Sequence, residues 1–219
     1  MAYRRTKKVE ERLARTREDI VTAALTLVAG GGYAAASMPA IAAQAQVSTG
    51  LLYRYFPSKA DLFEEVFRRA SQREIDACTR AAALPGAARD RLAAVVETFA
   101  RRALKGPKLA WALLAEPVDP AIEAERLRYR PPYRDIFAGI IRDGIAAGEV
   151  MPQDADILAS AIVGAIAEAM AGPLTTPTAT ADADHLVGTV TRFCVQALGP
   201  RPDGSPVRME QQPLAATLP

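Results

Sequence analysis

The sequence predicts an all-α protein, built as a three-helix N-terminal unit of helix-turn-helix form followed by a larger helical unit. Three observations predict it. Half of the 219 residues are apolar, mostly Ala, Leu, Ile and Val, with only 6% aromatic; such a composition favours helix and supports one sizeable core or two small ones. Apolar residues recur at helical spacing from Ile20 to Leu198, with no alternating strand pattern and no internal repeat. Short periodic segments near the start are punctuated by Ser, Gly and Pro at positions that begin and end helices.

Thr16-Arg17-Glu18-Asp19 has capping-box spacing and opens the first helix, whose Ile20, Ala24, Leu27 and Val28 recur at helical period. Gly30-Gly31-Gly32 is expected to stop it. Ser37 caps a short second helix with Pro39 in its first turn and Met38, Ile41, Ala42 and Ala45 on its buried face. Ser48 caps a third, ending at Phe56-Pro57. Ser58-Lys59-Ala60-Asp61 is another capping box and opens a fourth helix running to about Ala83. Leu84-Pro85-Gly86 reads as the boundary between units. Amphipathic stretches follow at about 88–104, 107–116 and 119–148, the last interrupted at Pro131-Pro132, since proline removes a helical donor. Two more helices are expected at 154–171 and 182–198. The tail from Gly199 holds five prolines in 21 residues without apolar period and reads as disordered. The domains are therefore a basic flexible arm (1–15), the helix-turn-helix unit (16–67), the second helical unit (68–198) and the tail (199–219).

Composition narrows the function. Net charge is only +2, but residues 1–75 carry twelve Lys and Arg against eight Asp and Glu, whereas the rest carry 15 against 17. A basic N-terminal arm is the electrostatic footprint of a nucleic-acid binder, or else simply a solvated tail. Cys78 and Cys194 lie far apart and His185 is the lone histidine, so no metal site, no catalytic Ser/His/Asp or Cys/His arrangement and no cofactor is expected. No signal peptide is visible, and the most apolar run, 157–170, is too short to span a bilayer and carries Glu168. A reduced, cytoplasmic protein without a membrane partner is expected.

The informative segment is residues 40–67, AIAAQAQVSTGLLYRYFPSKADLFEEVF. Two short helices joined by a tight turn follow the helix-turn-helix plan. Projected from Ser48, the third helix turns Leu52, Tyr55 and Phe56 inward. Gly50, Tyr53 and Arg54 fall opposite, flanked by Thr49 and Leu51. A guanidinium, a phenol, a hydroxyl and a gap for close backbone approach can read base edges and grip phosphates of double-stranded DNA. For Arg54 the bland alternative is a solvated surface charge; Tyr55 is read as core rather than as a DNA contact.

This run resembles the DNA-binding domain of the TetR family of bacterial repressors, with its pattern IAxxAGVSxGxLYxYFxSKxxL. Ile41, Ala42, Ala45, Val47, Ser48, Gly50, Leu52, Tyr53, Tyr55, Phe56, Ser58, Lys59 and Leu62 all fit it. The resemblance implies that Gly50 allows close approach to DNA, that Tyr53 and Lys59 hold phosphates, and that Thr49, Leu51 and Arg54 set the operator. Gln46 departs from the pattern, standing where the family has glycine in the turn; a positive φ there would strain a side chain.

The resemblance also implies a homodimer joined through the last two long helices. The residues add their own support: Ser160, Gly164, Ala167 and Ala171 form a small-residue stripe, and Leu186, Val190, Phe193 and Ala197 an apolar one. Either stripe could equally be core within one chain, but both helices are apolar around more of their circumference than a single face needs. For a small-molecule effector, Trp111, Leu114, Tyr129, Tyr133 and Phe137 are the candidate lining, with Arg126 among the polar groups; an aromatic core stripe with solvated arginines is the alternative. The family mechanism would be a dimer on a palindromic operator, repressing until an effector shifts the fourth helix. A ligand-independent architectural DNA binder and an all-helical enzyme are the competing readings, the second without any catalytic residues to support it.

Overall fold

The computed structural model describes residues 7–176 and 182–200; Arg4 and Arg5 of the basic arm and residues 201–219 of the tail lie outside the described residues. The described chain is all-helical: α1 (Lys7–Ala35), α2 (Met38–Gln44), α3 (Thr49–Tyr55), α4 (Lys59–Ala82), α5 (Ala88–Lys105), α6 (Pro107–Leu114), α7 (Pro120–Arg128), α8 (Arg130–Ala146), α9 (Ala155–Thr175) and α10 (Ala183–Gln196).

Helix α1 begins upstream of Thr16. Its first residues, KKVEERLAR, are strong helix formers with Glu10 in the first turn, so the segment expected as a flexible arm is helical from Lys7 onward. Thr16 is not a cap; its hydroxyl donates back to the Arg12 carbonyl at 3.1 Å. Nor does the glycine run end the helix outright. Helical bonding resumes to Ala35, and the break sits at Gly32 alone, with φ 77° and ψ −175°.

The three serine caps form. Ser37 Oγ accepts from Ala40 N at 3.3 Å, Ser48 Oγ from Leu51 N at 3.1 Å and Ser58 Oγ from Asp61 N at 3.1 Å. Asp61 returns the bond by accepting from Ser58 N at 2.9 Å, completing the capping box. These caps fix where α2, α3 and α4 start, and hence which faces they bury.

The interior divides into two apolar clusters. The first joins α1 through the opening half of α4, with Ile20, Ile41, Leu52, Leu62, Phe63 and Phe67 fully buried; each such side chain contributes about 1.5–3 kcal/mol. The second begins at Cys78 and Ala81 on the closing half of α4 and runs through α5, α8, α9 and α10. The division thus falls within α4. Leu84-Pro85-Gly86 is only the turn from α4 to α5 inside the second cluster, because α4 is long enough to serve both cores.

Arginine–carboxylate pairs clamp α1 to α4. Glu65 accepts from Arg68 at 2.9 and 2.7 Å and from Arg69 at 2.6 Å, while Arg69 also reaches Glu18 on α1. Arg68 and Arg69 hold the Glu65 carboxyl down to about 2. Farther along, the expected 119–148 stretch is two helices broken at Tyr129. Pro131 and Pro132 lie in the first turn of α8, where a missing N–H loses no helical bond.

Gln46 is the non-glycine residue with positive φ, at 56°, among the described residues. Its N–H donates to Ala43 O at 3.1 Å and the Val47 N–H to Ala42 O at 3.0 Å. That pair of bonds is a Schellman ending for α2, which requires the left-handed conformation at this position. Gln46→Gly should therefore raise stability by up to about 1 kcal/mol, the relief of left-handed strain being offset in part by the freer unfolded chain. For a chain of this length the melting temperature should rise by roughly 2–4 °C. A melting curve shifted downward would show that Gln46 gains more from its surroundings than it loses in backbone strain.

Candidate functional site

Helix α3 offers an uncovered face. Thr49, Gly50, Tyr53 and Arg54 are exposed and Leu51 is half-buried, while Leu52 beneath them is fully buried. A Cβ built on Gly50 would meet nothing within 4 Å, so packing inside the chain does not call for glycine here. Tyr53 leaves 46% of its surface exposed. A guanidinium, a phenol and a hydroxyl on one short helix can reach into a DNA major groove and contact phosphate oxygens.

Lys59 does not share that face. Its ammonium donates to the Tyr33 carbonyl at 3.3 Å and lies 3.6 Å from the centre of the Tyr33 ring. Burial lowers its pKa, and Asp119 and Glu116 act against that shift. The phosphate-holding position expected for Lys59 is thus occupied in this structure by an internal contact.

Tyr33 is the hub of a clasp between the two units. At the Gly32 break two amides lose their helical acceptors, and Glu116, from the loop after α6, takes both: Tyr33 N at 2.7 Å and Ala34 N at 3.2 Å. A Cβ on Gly32 would meet the Glu116 carboxylate oxygens at 2.8 and 2.9 Å. The Tyr33 hydroxyl donates to Asp119 at 2.6 Å, and burial together with this acceptor raises the phenol pKa. The Tyr33 ring meets Phe63 edge-on at 4.7 Å. Sequence reasoning missed Glu116 and Asp119; the available signal was two acids flanking prolines in the otherwise apolar 109–122 stretch.

A cavity of about 140 Å³ is lined mainly by apolar side chains. Of the candidate effector residues, Leu114, Arg126, Tyr129, Tyr133 and Phe137 line it. Trp111 does not. It packs against the second core instead, because it falls on the other side of α6 from Leu109 and Leu113. Cys78, Phe99, Ile166 and the Arg102–Glu74 pair, which no sequence pattern marked, also form this wall; α4, α5 and α9 bring them in. Burial pushes the Cys78 thiol up to about 12, so it acts as an apolar wall group. Arg126 is only 8% exposed. Its guanidinium donates to Ala112 O at 3.1 Å and Glu116 O at 2.6 Å and pairs with Glu123 at 2.7 Å.

The expected dimer residues separate by helix face. On α9, Ser160 and Gly164 are exposed beside Ile157, which is 69% exposed, whereas Ala167 lines the cavity and Ala171 is half-buried. On α10, Phe193 is 58% exposed and Leu186 half-buried. Val190 is buried in the subunit's own core, because the inward face of α10 is centred on Val187, Thr191 and Cys194. Helix α9 also runs to 21 residues, longer than the apolar stretch 157–170, and by length and composition alone is apolar enough to cross a bilayer. One of its faces packs on α8 and α6.

Residues 20–66 match the family model for bacterial regulatory proteins, tetR family, and residues 85–170 match that for a tetracyclin repressor-like C-terminal domain. Over 70 residues the chain is 47% identical to the HTH-type transcriptional repressor KstR of Mycolicibacterium smegmatis, covering 32% of this chain and 34% of that protein. The match thus spans about a third of that relative's length. Among solved structures, the transcriptional regulator FadR from Bacillus subtilis, in complex with stearoyl-CoA, superposes with a TM-score of 0.67 at 22% identity, covering 83% of this chain and 96% of that one. A TetR-family transcriptional regulator from Pectobacterium atrosepticum superposes with a TM-score of 0.69 at 20% identity, covering 86% and 95%. At such identities the likeness is one of fold.

The clasp predicts opposite outcomes for two neighbouring glycines. Gly30 has no positive φ, and a Cβ there meets nothing within 4 Å. Gly30→Ala should stabilise by roughly 0.5–1 kcal/mol through helix propensity. Gly32→Ala should destabilise by several times as much, on the order of 2–4 kcal/mol, from left-handed strain plus displacement of a carboxylate from two amides. Thermal melts of the two variants check the contrast; equal and small shifts would show that Glu116 moves aside without loss.

Proposed function

The chain belongs to the TetR family of bacterial regulatory proteins, and on that premise we propose that it is a cytoplasmic transcriptional repressor, released from its operator by a small-molecule effector. The observation that carries the reading is the bare outward face of α3, with Gly50 at its centre and no packing reason for that glycine. Thr49, Leu51 and Arg54 face the base edges, Tyr53 a phosphate, and Gly50 admits the DNA backbone. Lys59 reaches a phosphate only by leaving Tyr33, which links that contact to the state of the clasp.

A homodimer supplies the second reading head. Ile157 and Phe193 leave most of their surface in water in the single chain, and the small exposed residues Ser160 and Gly164, one and two turns on from Ile157 along α9, let a second copy approach closely. The effector occupies the cavity under α6, where Leu114, Arg126, Tyr129, Tyr133 and Phe137 contact it and Trp111, one turn along, reports on it. The stearoyl-CoA complex of the Bacillus subtilis relative supports a small organic ligand in this fold. An architectural DNA binder would have no use for such a cavity. The ligand must bind the DNA-incompetent state more tightly, and DNA must weaken the ligand by the same factor.

Selection from random duplexes should recover a palindrome whose half-sites lie roughly one helical turn, ~34 Å, apart or somewhat more. Arg54→Ala should cost about 1–3 kcal/mol at the contacted position and relax the preference there. Loss of affinity that is uniform over all sequences would make Arg54 a phosphate contact and leave base readout to its neighbours.

Gly164→Glu sets a carboxylate in the proposed dimer seam, where an unpaired buried charge is costly. The side chain has open space in the single chain, so the subunit should fold while sedimenting as a monomer with little operator affinity. An intact, DNA-binding dimer would exclude this face.

A further inference from the structure

The cavity is apolar along most of its wall, but its charged groups are unbalanced. Arg102, Arg126 and Arg130 line it against a single acid, Glu74. Arg102 is neutralised by that acid through two bonds of 2.7 and 2.8 Å. Arg126 has its carboxylate partner, Glu123 at 2.7 Å, outside the wall, and Arg130 differs again. Arg130 has no carboxylate within ion-pair distance among the described residues. Arg126 is more than nine-tenths buried, and its Nε has no hydrogen-bond acceptor although its two terminal nitrogens are engaged. A charged N–H left unmade in a buried site forfeits its hydration without replacement. Desolvation, with Arg130 adding like-charge repulsion, lowers the Arg126 pKa, while Glu123 and Glu116 act against it. A bound anion relieves both the repulsion and the missing bond.

We propose that the cavity receives an amphipathic anion, with its acidic head on Arg126 and Arg130 and its apolar body along Phe99, Leu109, Leu113, Phe137 and Ile166. This rests on the effector reading of the cavity. Arg126 is the specificity-determining residue: a guanidinium presents paired donors to a carboxylate or phosphate that an ammonium cannot match. The same side chain holds Ala112 O and Glu116 O at the end of α6. An anion that draws the guanidinium toward itself weakens its hold on the loop that carries Glu116. The head group thus acts at the point where the cavity meets the clasp, whereas the apolar body supplies affinity.

The full chain titrated with dodecanoate and, separately, with dodecan-1-ol tests this, followed by Trp111 emission and by melting temperature. Dodecanoate should bind roughly tenfold or more tightly than the alcohol, the scale of a hydrogen bond to a charged group. Arg126→Met keeps an apolar stem of similar reach and should bring dodecanoate to the level of dodecanol while leaving dodecanol unchanged. Arg130→Met, at an exposed position where folding is not at stake, should weaken dodecanoate alone, severalfold. Equal binding of the two probes to the parent chain overturns the anion receptor and leaves the apolar effector cavity standing. Binding of neither overturns both readings. A carboxylate preference that survives in both methionine variants overturns the assignment to these arginines.

Discussion

The Glu116 carboxylate, received by the amides of Tyr33 and Ala34, is the interaction on which the arrangement of the two units depends. A helix that breaks in its interior orphans N–H groups, and buried donors without acceptors are costly. Here the acceptor comes from a loop more than eighty residues downstream. Its approach is possible because Gly32 has no Cβ; any larger residue would place a carbon on the carboxylate oxygens. Around that contact Asp119 holds the Tyr33 hydroxyl, Lys59 covers the ring and carbonyl, and Phe63 closes the edge. The first turn of α4, the break in α1 and the end of α6 are therefore one polar assembly set between two apolar cores.

That assembly links the cavity wall at Arg126 to the start of α4 at Lys59 through bonds rather than proximity. Helix α6 belongs to both sides: Ala112, Leu109 and Leu113 pack with the N-terminal core, while Leu109, Ala110, Leu113 and Leu114 also line the cavity. Arg126 ties the last carbonyls of α6 to α7, and Glu116 ties the same loop to α1. On the function proposed, a ligand that repositions the α6 end would change the acceptor offered to Tyr33 and free or trap Lys59 at the start of α4. Such a mechanism needs two discrete arrangements of the loop, each favoured by one ligand, and its polar contacts are few enough to exchange.

Helix α9 carries a double duty of a different kind. Val163, Ile166 and Ala167 face the cavity and Ile162 and Met170 the core, while Ile157, Ser160, Ala161 and Gly164 face out. Apart from Asp156, Ser160 and Glu168, the outward side of this helix is apolar or small, more than a solvated face needs. On the dimer we propose, a second copy would cover the outward residues, and the dimer seam would then back the cavity wall. Occupancy of the cavity and the angle between subunits would share one helix.

Local chemistry decided much of this protein from the sequence alone. Serine caps, the capping box at Ser58, the glycine at position 50 and the strained turn at Gln46 act within one or two helical turns, so their spacing identified α2, α3 and the start of α4, the outward face of α3 and the family itself. The aromatic face 129–133–137 was legible for the same reason, since helical period places those rings together. What depends on several helices meeting was not. The helical state of residues 7–15 goes with the summed propensity of KKVEERLAR, which no single residue announced. The inward turn of Lys59, the burial of Val190, the exclusion of Trp111 from the cavity and the entry of Ala167 into it depended on which side of each helix another helix happened to cover. The clasp itself joins residues 33, 59, 116 and 119, and no periodicity links them. Only the tertiary structure could bring a carboxylate from one unit to the orphaned amides of the other, because an acceptor for a broken helix is chosen by distance in space and not by distance along the chain.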